Sequence, residues 1–271
     1  MSRSARFAAT VLGAVLIAPI SSFAAVSISA AGSTALLPLV KAAASAYQEK
    51  NPGVSISVTG GGSGVGIAQV AAKAVDMGNS DIVSNNAELV DHKVAVIGFA
   101  IVVNPSAGVT NLTKKQVQDV FSGKVTNWKD VGGKDSTILV INRPTSSGTR
   151  AVFQQTIMGG NKLSESGGQQ SETGTVITAV RTTPGSTTYA AFSGTRGKEG
   201  ISEVSIDGVA PTDENVAIGK YPIWSYEHIY TNGPATTDVS RFIAFIHSSS
   251  AILKQLGYIP IADMKVSETD R

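Results

Sequence analysis

The sequence predicts an α/β protein built on largely parallel sheets, and three observations predict it. Val54, Ile56 and Val58 alternate with Ser55, Ser57 and Thr59, run into the glycine-rich stretch 60–64, and continue through Ile67, Val70, Ala71 and Ala74 at helical spacing. Strand, glycine loop, helix is the βα unit of a parallel sheet. The same succession occurs upstream, with Val26, Ile28 and Ala30 alternating before Gly32-Ser33-Thr34 and a helical face of Leu36, Leu39, Val40, Ala43, Ala44 and Tyr47. Finally, Val94 to Val103 is a continuous apolar run, the pattern of a strand covered on both faces.

The elements follow in order. Pro38 falls in the first turn of the first helix, where proline is tolerated, and Asn51-Pro52 ends that helix. The run at 94–103 stops at Asn104-Pro105 and has the length and apolarity of a crossing between two domains. A helix is expected from Lys114 to Phe121, a strand from Ile138 to Ile141, a short polar loop from Arg143 to Thr149, and a helix from Ala151 to Ile157. The polar, glycine-rich stretch 159–174 has no apolar period and reads as a long surface loop. Tyr221 to Tyr230 reads as a return strand and Arg241 to Leu256 as a final helix.

Residues 1–24 read as a signal peptide rather than fold. Arg3 and Arg6 precede an apolar run from Phe7 to Ile20, and small residues follow at Ser21, Ser22, Ala24 and Ala25. The apolar run is shorter than the ~20 residues a membrane span needs. The chain has no cysteine, which excludes disulfides, thiolate metal sites, a cysteine nucleophile and a lipid-modified cysteine after the leader. A soluble periplasmic protein is expected, not a lipoprotein. Without Arg3 and Arg6 the basic and acidic residues are equal in number, so no nucleic-acid partner is expected and any bound anion must be held by local groups.

Three loops share one design, in which a strand leads through small hydroxyl or glycine residues into a helix start. They are Gly32-Ser33-Thr34-Ala35, Gly62-Ser63-Gly64 and Ser146-Ser147-Gly148-Thr149. A helix start offers unpaired N–H groups and a positive dipole end, which suit a small tetrahedral anion. Taken singly, each loop is equally a plain helix cap. Arg143 adds a planar cationic fork before the third loop, or else forms a surface ion pair. Asp81 is a helix cap on one reading. On the other it accepts a hydrogen bond from a protonated oxyanion and repels one that has no proton to give.

No enzyme motif survives inspection. The G-x-G-x-x-G register ends on Val65 or Ile67, no lysine follows the loop as in a nucleotide-binding P-loop, and Val65 stands where a hydrolase elbow at Ser63 needs glycine. His92, His228 and His247 are scattered and read as surface or packing residues; Asp76 and Asp81 lack a third ligand for a metal. No catalytic residue, cofactor or metal is expected.

The residues do resemble one family. Ala31-Gly32-Ser33-Thr34-Ala35, Gly61-Gly62-Ser63-Gly64, Val75-Asp76-Met77-Gly78-Asn79-Ser80-Asp81, Phe121-Ser122-Gly123-Lys124-Val125-Thr126-Asn127-Trp128, Arg143 with Ser147-Gly148-Thr149, and Gly219-Lys220-Tyr221-Pro222-Ile223-Trp224 match, in order, the periplasmic phosphate-binding proteins of phosphate ABC transporters. The resemblance implies a two-lobed type II clamshell with a mixed, mostly parallel sheet in each lobe and a two-strand hinge. It implies lobe I at 25–102 plus 223–271 and lobe II at 103–222. It also implies that Ser33, Thr34, Ala35, Ser63 and Gly64 face phosphate from one side and Arg143, Ser147, Gly148 and Thr149 from the other, with Asp81 accepting the phosphate proton.

The expected partners are inorganic phosphate and the permease subunits of an inner-membrane ABC transporter, served by a monomer. The alternatives are the same fold holding sulfate, molybdate or arsenate, or a secreted phosphatase; an adhesion or signalling role is neither supported nor excluded. Two departures stand out. Thr145 occupies a place where some relatives carry an acidic partner for the arginine, and Thr183 to Tyr189 is a loose match with no assigned role.

Overall fold

The computed structural model describes residues 26–267, so the expected signal peptide lies outside the described residues. The first βα pair is β1 (Val26–Gly32) and α1 (Leu37–Lys50), with Pro38 in the opening turn as the sequence requires. The second is β2 (Val54–Gly61) and α2 (Ser63–Ala71), followed by β3 (Met77–Ser80). Strand β1 pairs in parallel with both β2 and β3.

The expected buried strand is β4, and it is longer than its apolar run, spanning Leu89–Val103 with every residue from Val94 onward buried. The chain continues through β5 (Asn111–Leu112), α3 (Lys114–Ser122), β6 (Leu139–Val140), α4 (Gly148–Phe153), α5 (Thr173–Thr182), β7 (Ser186–Ala191), α6 (Phe192–Thr195), β8 (Ser202–Ile206) and α7 (Asp213–Ala217). It returns along β9 (Trp224–Asn232) and ends in α8 (Thr237–Ser248) and α9 (Ser250–Gln255).

Strand pairing changes partners in the middle of β4. From Leu89 to Gly98 it runs antiparallel to β9; from Phe99 to Val103 it lies between β7 and β8, antiparallel to both. The strand order is therefore β2-β1-β3-β9-β4 on one side of Gly98 and β6-β7-β4-β8-β5 on the other. The outer pairs are parallel, and the antiparallel pairs all involve β4 or β9. At the change-over Phe99 N–H donates to Ile223 O at 2.9 Å, so the outgoing and returning segments lie side by side.

Two aromatic clusters hold the strands in place. Tyr47 of α1 meets Phe242 and Phe245 of α8 edge-on, with ring centroids 5.5 and 5.3 Å apart. Phe153 stacks on Tyr189 at 4.3 Å and meets Phe121 at 4.8 Å, beneath the strand that leads to Arg143. Burying each such ring contributes about 1.5–3 kcal/mol.

Several expectations change in detail. Helix α4 runs Gly148–Phe153 rather than Ala151 to Ile157, and α5 begins at Thr173, inside the expected long loop. The final helix is two, because the Ser248 and Ser249 hydroxyls both bond back to Phe245 O and draw the backbone out of helical register at Ser249. The return strand starts at Trp224 rather than Tyr221, whose hydroxyl instead donates to Phe99 O across the crossing at 3.1 Å. Strand β6 keeps only two of its four expected residues, since Ile138 N–H donates to Thr126 O and Ile141 N–H to Thr187 O, each at 2.9 Å, outside a regular ladder.

Candidate functional site

The three hydroxyl- and glycine-rich loops converge on Asp81, which is 2 % exposed. The Ser33 hydroxyl donates to Asp81 Oδ1, and Thr149 Oγ1 donates to Oδ2 at 2.9 Å. The Asp81 N–H donates to Ser63 Oγ at 2.9 Å. Ser33 Oγ also accepts the Ala35 and Leu36 N–H groups, each at 3.0 Å, fixing the entry to α1. Ser147 caps α4 by accepting Arg150 N–H at 3.3 Å.

The third loop and the second touch directly. Gly64 N–H donates to Ser146 O at 3.0 Å. A Cβ on Gly148 would stand 2.1 Å from Ser63 Oγ, and one on Gly62, whose φ is +95°, would stand 2.8 Å from Ser146 O. Only glycine allows this approach.

Arg143 lies beneath this contact, 1 % exposed. Its Nε donates to Gln170 O at 3.0 Å, and its Nη2 donates to Ser171 O at 2.8 Å and Thr34 Oγ1 at 2.9 Å. Nη1 is buried and has no hydrogen-bond partner. A buried guanidinium N–H left open is costly, so it marks a place where an acceptor belongs. Burial draws the Arg143 pKa down and the nearby Asp81 charge opposes that. Burial pushes the Asp81 carboxyl above its ordinary range, against the pull of the Ser33 and Thr149 hydroxyls and Arg143. Hydroxyl donors, one cationic fork with a free N–H, and one carboxylate acceptor together suit a small oxyanion that carries a proton.

Residues 18–250 match the family model of the PBP superfamily domain. Phosphate-binding protein PstS of Bacillus subtilis is 44% identical over 250 residues, covering 89% of this chain and 83% of that protein. The chain belongs to the PstS family of the PBP superfamily. Among solved structures, a phosphate-bound crystal structure from Clostridium perfringens, of a protein assigned as a phosphate ABC transporter substrate-binding protein, matches at TM-score 0.82 and 30% identity, covering 87% of this chain and 99% of the other. An ABC-type phosphate transport receptor from Vibrio cholerae matches at TM-score 0.70 and 27% identity, covering 86% and 99%. The family is one of binding proteins, and its fold is the type II α/β architecture expected from the sequence.

In this member of the PstS family all ten expected site residues lie in or beside one cluster: Ser33, Thr34, Ala35, Ser63, Gly64, Asp81, Arg143, Ser147, Gly148 and Thr149. Thr145, in the place where an acidic partner was in question, leaves Arg143 leaning on main-chain carbonyls instead. Those carbonyls come from the 159–174 loop, which the sequence left without a role. Asn142 anchors that loop: its side chain donates to Ser164 O, its N–H to Gly168 O at 2.8 Å, and its Oδ1 accepts the Tyr189 hydroxyl at 3.0 Å. Thr183 to Tyr189 supplies β7 and this tyrosine.

Sequence reasoning missed Glu227. It is 0 % exposed on β9 and close enough to Asp81 for the two charges to interact. Burial first, and then the Asp81 charge, push its carboxyl well above the ordinary range. A glutamate inside the apolar run 221–230 was the available signal. The histidines are held locally: His228 Nδ1 is 2.8 Å from Asp91 Oδ1, His92 meets the Thr231 hydroxyl at 3.1 Å, and His247 meets Lys93 O at 2.9 Å.

Proposed function

We propose that this chain captures inorganic phosphate in the periplasm and delivers it to the permease of an ABC importer. The supporting observation is the buried Arg143 fork with its open Nη1, set beside the buried carboxylate of Asp81. Relatives named for phosphate binding, and a similar structure with phosphate bound, support the choice of ligand.

On this reading one lobe runs to Gly98 and resumes at Trp224, and the other lies between, a few residues off the expected boundaries of 102 and 223, with the side-by-side segments near Gly98–Phe99 and Ile223–Trp224 as the hinge. Phosphate is held by Ser33, Thr34, Ala35, Ser63 and Gly64 from the first lobe and by Arg143, Ser147, Gly148 and Thr149 from the second. The Ser33 and Thr149 hydroxyls that bond Asp81 in this structure turn toward phosphate oxygens, while Asp81 accepts the phosphate proton. Ligand bridging both lobes favours the closed form, which docks on the permease. The leader is removed near Ala24 and the mature chain acts as a soluble monomer without a lipid anchor. Among the described residues no helix is long and apolar enough to cross a membrane.

Equilibrium dialysis of ligand-stripped protein against labelled phosphate tests the reading. Arsenate, which carries a comparable proton, should displace the label, and sulfate should leave it in place. Protein that retains no label, or releases it equally to sulfate, would overturn the assignment.

A further inference from the structure

Glu227 is a buried acid that the binding scheme above does not use. Its position follows from strand register. In the antiparallel pair of β3 and β9, Gly78 faces Tyr230, Asn79 faces Ile229 and Ser80 faces His228. Asp81 directly follows the last paired residue of β3, so the same register points it toward Glu227, and the two carboxyls are close enough to interact.

Among the described residues no cation is hydrogen-bonded to Glu227. On its other flank it is paired with Ala95 of β4. Tyr258 interacts with it from the segment after α9, but the Tyr258 hydroxyl is already committed to Ala35 O. Its neighbour on β9, His228, alternates to the opposite face and binds Asp91 there. Arg143 reaches this group of residues through its interaction with Asp81. Neither Glu227 oxygen receives a hydrogen bond.

A fully buried carboxylate with no donor is costly to keep, and beside it stands a second carboxyl that is itself an acceptor. One arrangement satisfies both: Glu227 keeps its proton and donates it. We propose that Glu227 is the standing hydrogen-bond donor to Asp81, so that the two form a buried carboxyl pair carrying one proton and one negative charge, positioned to tune Asp81 for a protonated oxyanion.

This rests on the phosphate reading and deepens it. With Glu227 protonated, the pair balances the single charge of Arg143. Asp81 remains an acceptor, yet is not basic enough to strip the ligand of its proton. Ionised Glu227 would set two negative charges against one positive at an anion site. It is a positioning residue, acting through Asp81 rather than on phosphate.

The test is the pH dependence of phosphate affinity in wild type and Glu227→Gln, measured from about pH 6 to about pH 10. Glutamine can still donate to Asp81 but cannot ionise. The ratio of the two Kd values cancels the titration of phosphate itself, which is the same in both experiments. Above the Glu227 pKa, wild-type Kd should rise relative to the variant by up to about tenfold per pH unit. A ratio that stays constant over the range, in a protein whose infrared spectrum shows no buried protonated acid, overturns the proposal.

Infrared spectroscopy of the ligand-free wild type at neutral pH gives a second readout that needs no variant. It should show the C=O stretch of a buried protonated carboxylic acid, and absence of that band also overturns the proposal. Wild-type protein that shows the band but binds no phosphate at neutral pH would sink the phosphate reading and leave the carboxyl pair standing.

Discussion

Arg143 Nη2 donates to Thr34 Oγ1 at 2.9 Å although 109 positions separate the two residues. The same fork is held by the carbonyls of Gln170 and Ser171, so its plane is set by protein groups. Lysine has charge but no plane and cannot satisfy these acceptors together. Arg143→Lys should weaken phosphate binding by about tenfold to hundredfold in calorimetry, the equivalent of about 1.4–2.8 kcal/mol. Affinity within a factor of about two of wild type would mean that the orientation of the fork is unimportant.

Gly148 offers a test of closure. An alanine Cβ there would stand 2.1 Å from Ser63 Oγ and 2.9 Å from the Asp81 Cβ, a clash between residues far apart in sequence. The helix start itself tolerates alanine. Gly148→Ala should therefore unfold within about 1 kcal/mol of wild type without ligand, yet lose most of the rise in Tm that excess phosphate gives. An undiminished phosphate-induced rise would show that the loops do not need this approach.

Stability against pH carries the signature of Glu227. In the unfolded chain it ionises near the ordinary 4.5, whereas in the folded chain burial and the Asp81 charge hold its proton to well above that value. Between those limits the folded state holds a proton that the unfolded state has released. Stability then falls as pH rises, by up to about 1.4 kcal/mol per pH unit. Glu227→Gln removes this slope, so urea denaturation should show the variant gaining on wild type as pH climbs from about 5. A gap that does not widen would mean that Glu227 ionises normally in the fold.

Much of this was legible in the residues. Alternation and glycine loops announced β1 to α2, because a half-buried strand and a helix start leave local marks. The apolar run of β4 announced a covered strand, though not its polar opening at 89–93, which pairs with β9 through backbone groups that leave no side-chain pattern. The ten candidate positions were nameable because loop chemistry and the family resemblance pointed to the same residues. What stayed hidden depends on contacts between distant segments. The carbonyls of Gln170 and Ser171 have no sequence signature, since every residue has one. Glu227 showed itself only as an acid in an apolar strand, and what it faces depends on the β3–β9 register.

On the proposed function, Asp81 selects an oxyanion that carries a proton while Arg143 holds it. The most direct measurement is calorimetric titration of ligand-stripped wild type and Asp81→Asn with phosphate and with sulfate at one pH. Wild type should bind phosphate one-to-one and leave sulfate silent. The variant should bind phosphate more weakly by about tenfold or more, with measurable sulfate binding, because an amide no longer repels an anion without a proton. Sulfate still fully excluded by the variant, or bound as well as phosphate by wild type, would contradict this role of Asp81.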